Sequence, residues 1–202
     1  TGDPERASVD RVLEAEAESL RAAGRSPTVI PRGGASPLGA VGYVLAAEEL
    51  ADQLAPVGVS AATLVVANGS SGTHAGLLVG AVGRPWRIVG AVTSREPAES
   101  GARVIRLAAA CAALLGVAAP EASSVVLRDA RGPGYGDTSA EAEAAAGLVA
   151  RTEGIFLDPV FTAKAFATLV ELIREGDAGP FVFLHTGGLG TAIDAFARGG
   201  EG

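Results

Sequence analysis

The densest group of hydrogen-bond donors in this chain is Ala67-Asn68-Gly69-Ser70-Ser71-Gly72-Thr73-His74, directly after the apolar run Leu64-Val65-Val66. Gly69 and Gly72 let the backbone close on a guest, and Ser70, Ser71 and Thr73 add hydroxyls. A helix beginning at His74 would aim its free N–H groups at the same point. Such a turn suits an anion, above all a phosphate. It lacks the Gly-Lys-Ser/Thr ending of a triphosphate-binding loop and does not fit the G-x-G-x-x-G dinucleotide spacing. A tight strand-to-helix turn with an ordinary cap is the alternative reading of the same residues.

Three further segments carry polar groups at places a ligand could reach. Gly132-Pro133-Gly134-Tyr135-Gly136 holds a phenol among glycines, either offered to a ligand or packed on a surface turn. Leu157-Asp158-Pro159-Val160-Phe161-Thr162-Ala163-Lys164 sets a hydroxyl beside an Asp-Pro pair that could equally start a helix. Leu184-His185-Thr186-Gly187-Gly188 reads as a strand end, with His185 expected to be buried and satisfied. His74 and His185 are the two histidines, and no acidic cluster at ligand spacing joins them, so no metal site is expected. The nucleophile-elbow spacing G-x-S-x-G is absent around Ser70 and Ser71. Cys111, in an apolar stretch, reads as core rather than nucleophile, and Trp86 as packing or interface.

These segments need a scaffold. Thr28-Val29-Ile30, Leu64–Ala67, Ile88–Val92, Ser124–Leu127 and Phe181–Leu184 read as short strands. Helices are expected over Asp3–Ala23, Ser36–Leu54, His74–Val82, Ala102–Leu115, from Ser139 onward, and over Lys164–Arg174. In the first of these, Val9, Val12, Leu13 and Leu20 supply the apolar stripe. Ser36-Pro37 pairs an N-cap with a first-turn proline. Apolar strands alternating with helices predict an α/β fold: an open, mostly parallel twisted sheet with helices on both faces. No repeat and no linker-like composition divides the chain, so residues 1–202 are expected to form one unit. Ligands of such sheets bind at the carboxyl ends of the strands, where the polar segments fall.

Composition narrows the partners. Of 202 residues, 48% are hydrophobic, enough for a sizeable core, and the formal net charge is −7. An acidic chain offers no basic stripe for nucleic acid and no attraction to an anionic membrane surface. No segment is apolar for long enough to span a bilayer. The single cysteine excludes an internal disulfide and suits a reducing, cytoplasmic setting.

The order of the turns resembles that of the D-cysteine desulfhydrases and 1-aminocyclopropane-1-carboxylate (ACC) deaminases. The resemblance rests on five motifs in order: Ile30–Tyr43, Asn68–Gly76, Gly132–Gly136, Glu153–Thr162 and His185–Gly188. These enzymes have the tryptophan-synthase-β-like fold and use pyridoxal 5'-phosphate (PLP), so the resemblance implies PLP as cofactor and a small amino acid as substrate. It implies that Gly69, Ser70, Ser71, Gly72 and Thr73 cradle the cofactor phosphate. Tyr135 becomes an active-site tyrosine, and Thr162 and Thr186 become hydroxyls near the pyridine nitrogen. Family members usually carry tyrosine where this chain has Phe161, which keeps the ring and loses the titratable proton. ACC deaminases carry glutamate at the position of Thr162 and desulfhydrases threonine. A neutral hydroxyl stabilises a delocalised carbanion poorly and suits β-elimination, so a desulfhydrase-like lyase is the leading expectation.

The resemblance also marks two segments without counterpart. The family's Schiff-base lysine lies near the N-terminus in an Asn-Lys-x-Arg-Lys-like segment, and a serine-asparagine-glutamine turn meets the substrate carboxylate. The only lysine here, Lys164, matches a different family position, expected to be packing or surface charge. The chain therefore reads as the C-terminal portion of a split enzyme, mainly its large cofactor-binding domain. A companion N-terminal polypeptide would supply the lysine, in a dimer or higher oligomer. The alternatives are an ACC deaminase-like enzyme, a non-catalytic PLP- or phosphate-binding or structural subunit, and a nicotinamide-binding Rossmann-type domain.

Overall fold

The computed structural model describes residues 4–199. Its middle layer is a sheet of β1 (Ala62–Asn68), β2 (Trp86–Val92), β3 (Val126–Asp129) and β4 (Phe181–Phe183). The order is β3-β2-β1-β4, and every neighbouring pair is parallel. The α/β alternation of the sequence thus forms the layered sheet it predicts.

The central strand β1 is apolar and almost wholly buried, as a parallel strand covered on both faces must be. Its side chains alternate between two cores. Leu64 and Val66 meet Ala47 of α2 (Pro37–Leu54), Leu77 and Leu78 of α3 (Gly72–Gly80) and Val104 of α4 (Pro97–Leu115). Val65 points the other way with Val89, onto Leu169 and Leu172 of α6 (Thr162–Arg174). Beside α6 lies α5 (Ala140–Glu153), joined through Ala142, Val149, Leu157 and Ala163. Cys111 is fully buried in the α4 core.

Local signals explain the helix starts. Ser36 Oγ accepts from Gly39 N at 3.0 Å, and Pro37 opens α2. Ser139 Oγ likewise accepts from Ala142 N at 3.2 Å at the head of α5. α3 sits unusually close to α2 because it carries glycine at every fourth position. A Cβ at Gly76 would lie 2.2 Å from the Ala40 carbonyl oxygen, and one at Gly80 2.5 Å from Ala47 Cβ. This contact fixes where the N-terminus of α3 falls.

The strand order reverses at β1. The chain winds from β1 through β2 to β3 on one side, then returns to place β4 on the other. The crevice beyond the carboxyl ends of β1 and β4 is therefore the binding position that such sheets offer.

Three expectations need correction. Thr28–Ile30 forms no strand: Pro27 and Pro31 flank it without N–H donors, and Ile30 stands 73% exposed. The opening helix forms as α1 (Pro4–Ala22), and the proposed start at Asp3 lies outside the described residues. Val9 and Val12 are nonetheless 41% and 66% exposed, and of residues 9–22 Ala17 alone is buried. A final helix α7 (Leu189–Gly199), unforeseen from the sequence, follows the His185–Gly188 turn.

Candidate functional site

The turn after β1 is held from several directions. Ser71 adopts φ +76°, a left-handed conformation uncommon for a residue with a side chain. Its hydroxyl donates to Asn68 Oδ1 at 3.0 Å, and no side chain caps α3. The helical ladder begins with Ala75 N donating to Ser71 O at 3.0 Å. The N–H groups of Gly72, Thr73 and His74 lie ahead of that bond, the position in which helix amides have no intrahelical acceptor.

The turn's carbonyls are drawn elsewhere. Gly69 O accepts from Ser94 Oγ at 3.3 Å and from Arg95 Nη1, and Ser70 O accepts from Arg103 Nε at 2.9 Å. In a trans peptide the N–H points opposite the C=O, so the amides of Ser70 and Ser71 face away from these arginines. Ser70 is covered by the preceding turn, since a Cβ at Gly33 would lie 2.7 Å from Ser70 Oγ. Amides without an intrahelical acceptor at a helix N-terminus are the feature that favours an anion.

A second network opens α6. Asp158 is buried, and its Oδ1 accepts from Val160 N at 3.0 Å and Phe161 N at 2.8 Å. Its Oδ2 accepts from Thr162 N at 2.9 Å and Thr162 Oγ1 at 2.6 Å. Thr162 Oγ1 in turn accepts from Asp158 N at 2.8 Å. With its proton given to Asp158, the Thr162 hydroxyl keeps acceptor capacity and has no donor left. Gly188 lies against the same carboxylate: a Cβ there would sit 2.5 Å from Asp158 Oδ2. The turn bearing exposed Thr186 is thereby brought to the head of α6.

Phe161 joins the other two turns. A Cβ at Gly69 would lie 2.9 Å from Phe161 Cε1, and the Phe161 ring meets Tyr135 edge-on at 6.1 Å between centroids. Tyr135 is 61% exposed on its glycine loop. Lys164 anchors that loop from beneath, donating to Arg131 O at 2.7 Å and Gly134 O at 3.0 Å. Lys164 is 2% exposed, so it is a buried clamp and not a surface charge. Burial lowers its pKa, with Asp137 pulling the other way.

Of the residues singled out from the sequence, Gly69–Thr73, Tyr135 and Thr186 follow the carboxyl ends of β1, β3 and β4, whereas Thr162 follows α5 and opens α6. Contacts link them in two chains, Gly69–Phe161–Tyr135 and Thr162–Asp158–Gly188. His185 departs from expectation: it is exposed, accepts from Gly187 N at 3.2 Å through Nδ1, and so donates from Nε2 to Phe156 O at 3.0 Å. Trp86 packs as expected, donating to Ser60 O at 3.1 Å with Arg84 over its ring. Sequence reasoning missed the work of Asp158, Asn68, Arg95 and Arg103. For Asp158 the sequence offered the helix-opening reading of its Asp-Pro pair, and what it did not show is the carboxylate's bonds to Thr162. A cleft of about 550 Å³ between α5 and α6 adjoins Lys164 but is lined by none of Gly69–Thr73, Tyr135, Thr162 or Thr186.

Comparison with known proteins identifies the family of the chain. The family described as "Pyridoxal-phosphate dependent enzyme" matches residues 5–187. The D-cysteine desulfhydrase of Salmonella paratyphi C is 44% identical over 184 residues, which are 89% of this chain and 56% of that protein. The D-cysteine desulfhydrase of Yersinia enterocolitica is 40% identical over 191 residues, 92% of this chain and 56% of that one. The crystal structure of an ACC deaminase homologue superposes with a TM-score of 0.86 at 37% identity, covering 95% of this chain and 58% of the other. The chain thus spans a little over half the length of the relatives it matches. A match across most of the chain, on a parallel sheet of the same fold, establishes that this polypeptide belongs to the pyridoxal-phosphate dependent enzyme family.

Proposed function

We propose that this chain forms the phosphate turn and ring-side wall of a PLP-dependent lyase. The enzyme would act on a small amino acid by β-elimination, in the manner of a D-cysteine desulfhydrase. The observation that carries the reading is the uncapped start of α3. Its amides are unclaimed by the helix, its neighbouring carbonyls are drawn onto Arg95 and Arg103, and it stands at the sheet's switch point. These residues fit a phosphate ester. When bound, PLP supplies an electron sink for a carbanion at the substrate's α-carbon.

The chain's own residues would do the following. Ser70, Thr73 and the amides ahead of Ala75 hold the anionic tail. Thr162 and Thr186 flank the ring. A hydroxyl pinned to Asp158, rather than a carboxylate, at position 162 favours elimination over cyclopropane opening. Phe161 contributes a wall and no proton, which leaves proton movement to Tyr135 and to groups outside this chain. Lys164 is committed to two carbonyls, so the amine that holds the cofactor covalently comes from a companion N-terminal polypeptide. In this reading residues 1–202 correspond to the large cofactor-binding domain within a dimer or higher oligomer.

A second reading, a non-catalytic PLP- or phosphate-binding subunit, is favoured by Phe161 and by the occupied state of Lys164. Titration with PLP, with and without the N-terminal part of a related desulfhydrase, separates the two. A lyase subunit retains PLP on its own and gains covalent absorbance and thiol release with the companion. A binding subunit retains PLP and gains neither. Thr162→Ala is expected to shift the bound cofactor's absorbance more than its retention, and Gly72→Val the reverse. Equal effects on both readouts would contradict the assignment.

A further inference from the structure

His74 is the largest polar group in the core that none of these roles uses. It is fully buried in the first turn of α3, and burial lowers its pKa to about 4, against a smaller opposing effect of the Ile88 backbone. The ring at neutral pH is therefore uncharged. Its Nδ1 lies 3.2 Å from Asn68 Nδ2, and Asn68 Oδ1 accepts the Ser71 hydroxyl proton at 3.0 Å. An amide nitrogen only donates, so Nδ1 is the unprotonated, accepting nitrogen and the ring proton sits on Nε2. Nε2 lacks a well-formed hydrogen bond, the Ile88 backbone being the ring's other polar neighbour. β2 makes room for the ring with a glycine: a Cβ at Gly90 would lie 2.4 Å from His74 Nδ1. A glycine in the middle of a buried strand weakens that strand unless something approaches it closely, and the imidazole does.

We infer that His74 is a positioning residue for the anion turn. Its tautomer orients the Asn68 amide, and the amide claims the proton of Ser71. The chain of bonds runs from the buried ring to the one residue of the turn with a left-handed backbone. Ser71 is thereby a pin and not a phosphate donor, and the donors left to a phosphate are the turn's amides with the hydroxyls of Ser70 and Thr73. Were the tautomer reversed, the amide would turn over and donate to Ser71, freeing its hydroxyl for the anion. The inference rests on reading this turn as an anion site.

The test uses the whole chain, with inorganic phosphate and PLP as probes. Imidazole nitrogen NMR at pH 7 is expected to find His74 protonated on Nε2; a proton on Nδ1 overturns the inference. Ser71→Ala keeps the strained Cβ and loses the bond, and is expected to weaken phosphate binding about tenfold. Ser71→Gly suits φ +76° and is expected to stay within about threefold of the original. Equal losses in the two variants would make Ser71 a direct ligand and overturn the pin. His74→Asn, which places an acceptor near Nδ1, should preserve affinity where His74→Leu loses it. A lowered melting temperature without that split in phosphate affinity means a merely structural histidine. If the unaltered chain binds neither probe, the anion-site reading itself fails, a result distinct from unaltered binding across the variants.

Discussion

At the scale of single residues, the site is built by polar groups that spend their hydrogen bonds on one another. Asp158 accepts four bonds from Val160, Phe161 and Thr162, which leaves its carboxylate with a structural task. Gly188 is required beside it because any side chain would strike the carboxylate, and its φ of +97° disfavours one anyway. Gly188→Ala should cost about 2–3 kcal/mol in urea unfolding. Gly190→Ala, where a Cβ meets nothing within 4 Å, serves as the control with no loss. Similar losses in the two variants would refute the contact.

His74 gives a second residue-scale prediction, in acid. Its folded pKa of about 4 lies below the ordinary value of 6.5, so the unfolded chain binds the extra proton between those limits. Stability therefore rises with pH across this window, is fully present above about 6.5, and is lost as pH falls toward 4. The span corresponds to about 3 kcal/mol. His74→Asn should flatten the melting-temperature profile between pH 4 and 6.5. Losses at lower pH should remain, because Asp129, held acidic mainly by its hydrogen bond from Arg131, titrates there. A profile unchanged by the substitution would place the acid sensitivity elsewhere.

At the scale of elements, α6 is the piece that connects turns otherwise distant in sequence. Phe161 at its head packs against Gly69 and Tyr135, and its buried Lys164 ties down the Arg131–Gly134 backbone. Lys164→Met keeps the bulk and removes both bonds, leaving two carbonyls poorly satisfied, at a cost of about 2–3 kcal/mol. The sharper expectation is local: amide exchange should quicken across residues 131–137 while β1 and β2 stay protected. Uniform acceleration would mean that Lys164 supports the fold as a whole and not this loop.

At the scale of the molecule, apolar surface remains uncovered. Ile30 and Leu38 are each 73% exposed, Val57 69% and Leu45 64%, alongside the half-bare stripe of α1. The relatives are nearly twice as long as the stretch they share with this chain. A companion N-terminal polypeptide is expected to bind here with an interface above about 1,000 Å². Light scattering after chromatography should find a stable complex, with Leu38→Lys and Leu45→Lys weakening it. A monomer that melts cooperatively and ignores the companion would sink the split-enzyme proposal.

The sequence by itself determined the α/β class, because short apolar runs such as Leu64–Val66 alternate with helical segments, the pattern of a parallel sheet covered on both faces. It also determined the helix starts at Ser36 and Ser139, since capping chemistry acts over a few neighbouring residues. Its failures were non-local. The extended propensity of Thr28, Val29 and Ile30 could not make a strand without a pairing edge, and whether an edge lies alongside is settled by distant parts of the chain. Whether Lys164 was surface or core, and whether His185 was buried, depended on which carbonyls and turns the fold delivered to them. Only the tertiary structure decided that the Ser71 hydroxyl faces Asn68 and that Phe161 bridges two turns. The first depends on the angle of one side chain and the second on segments far apart in the chain, and composition and spacing carry no information about either.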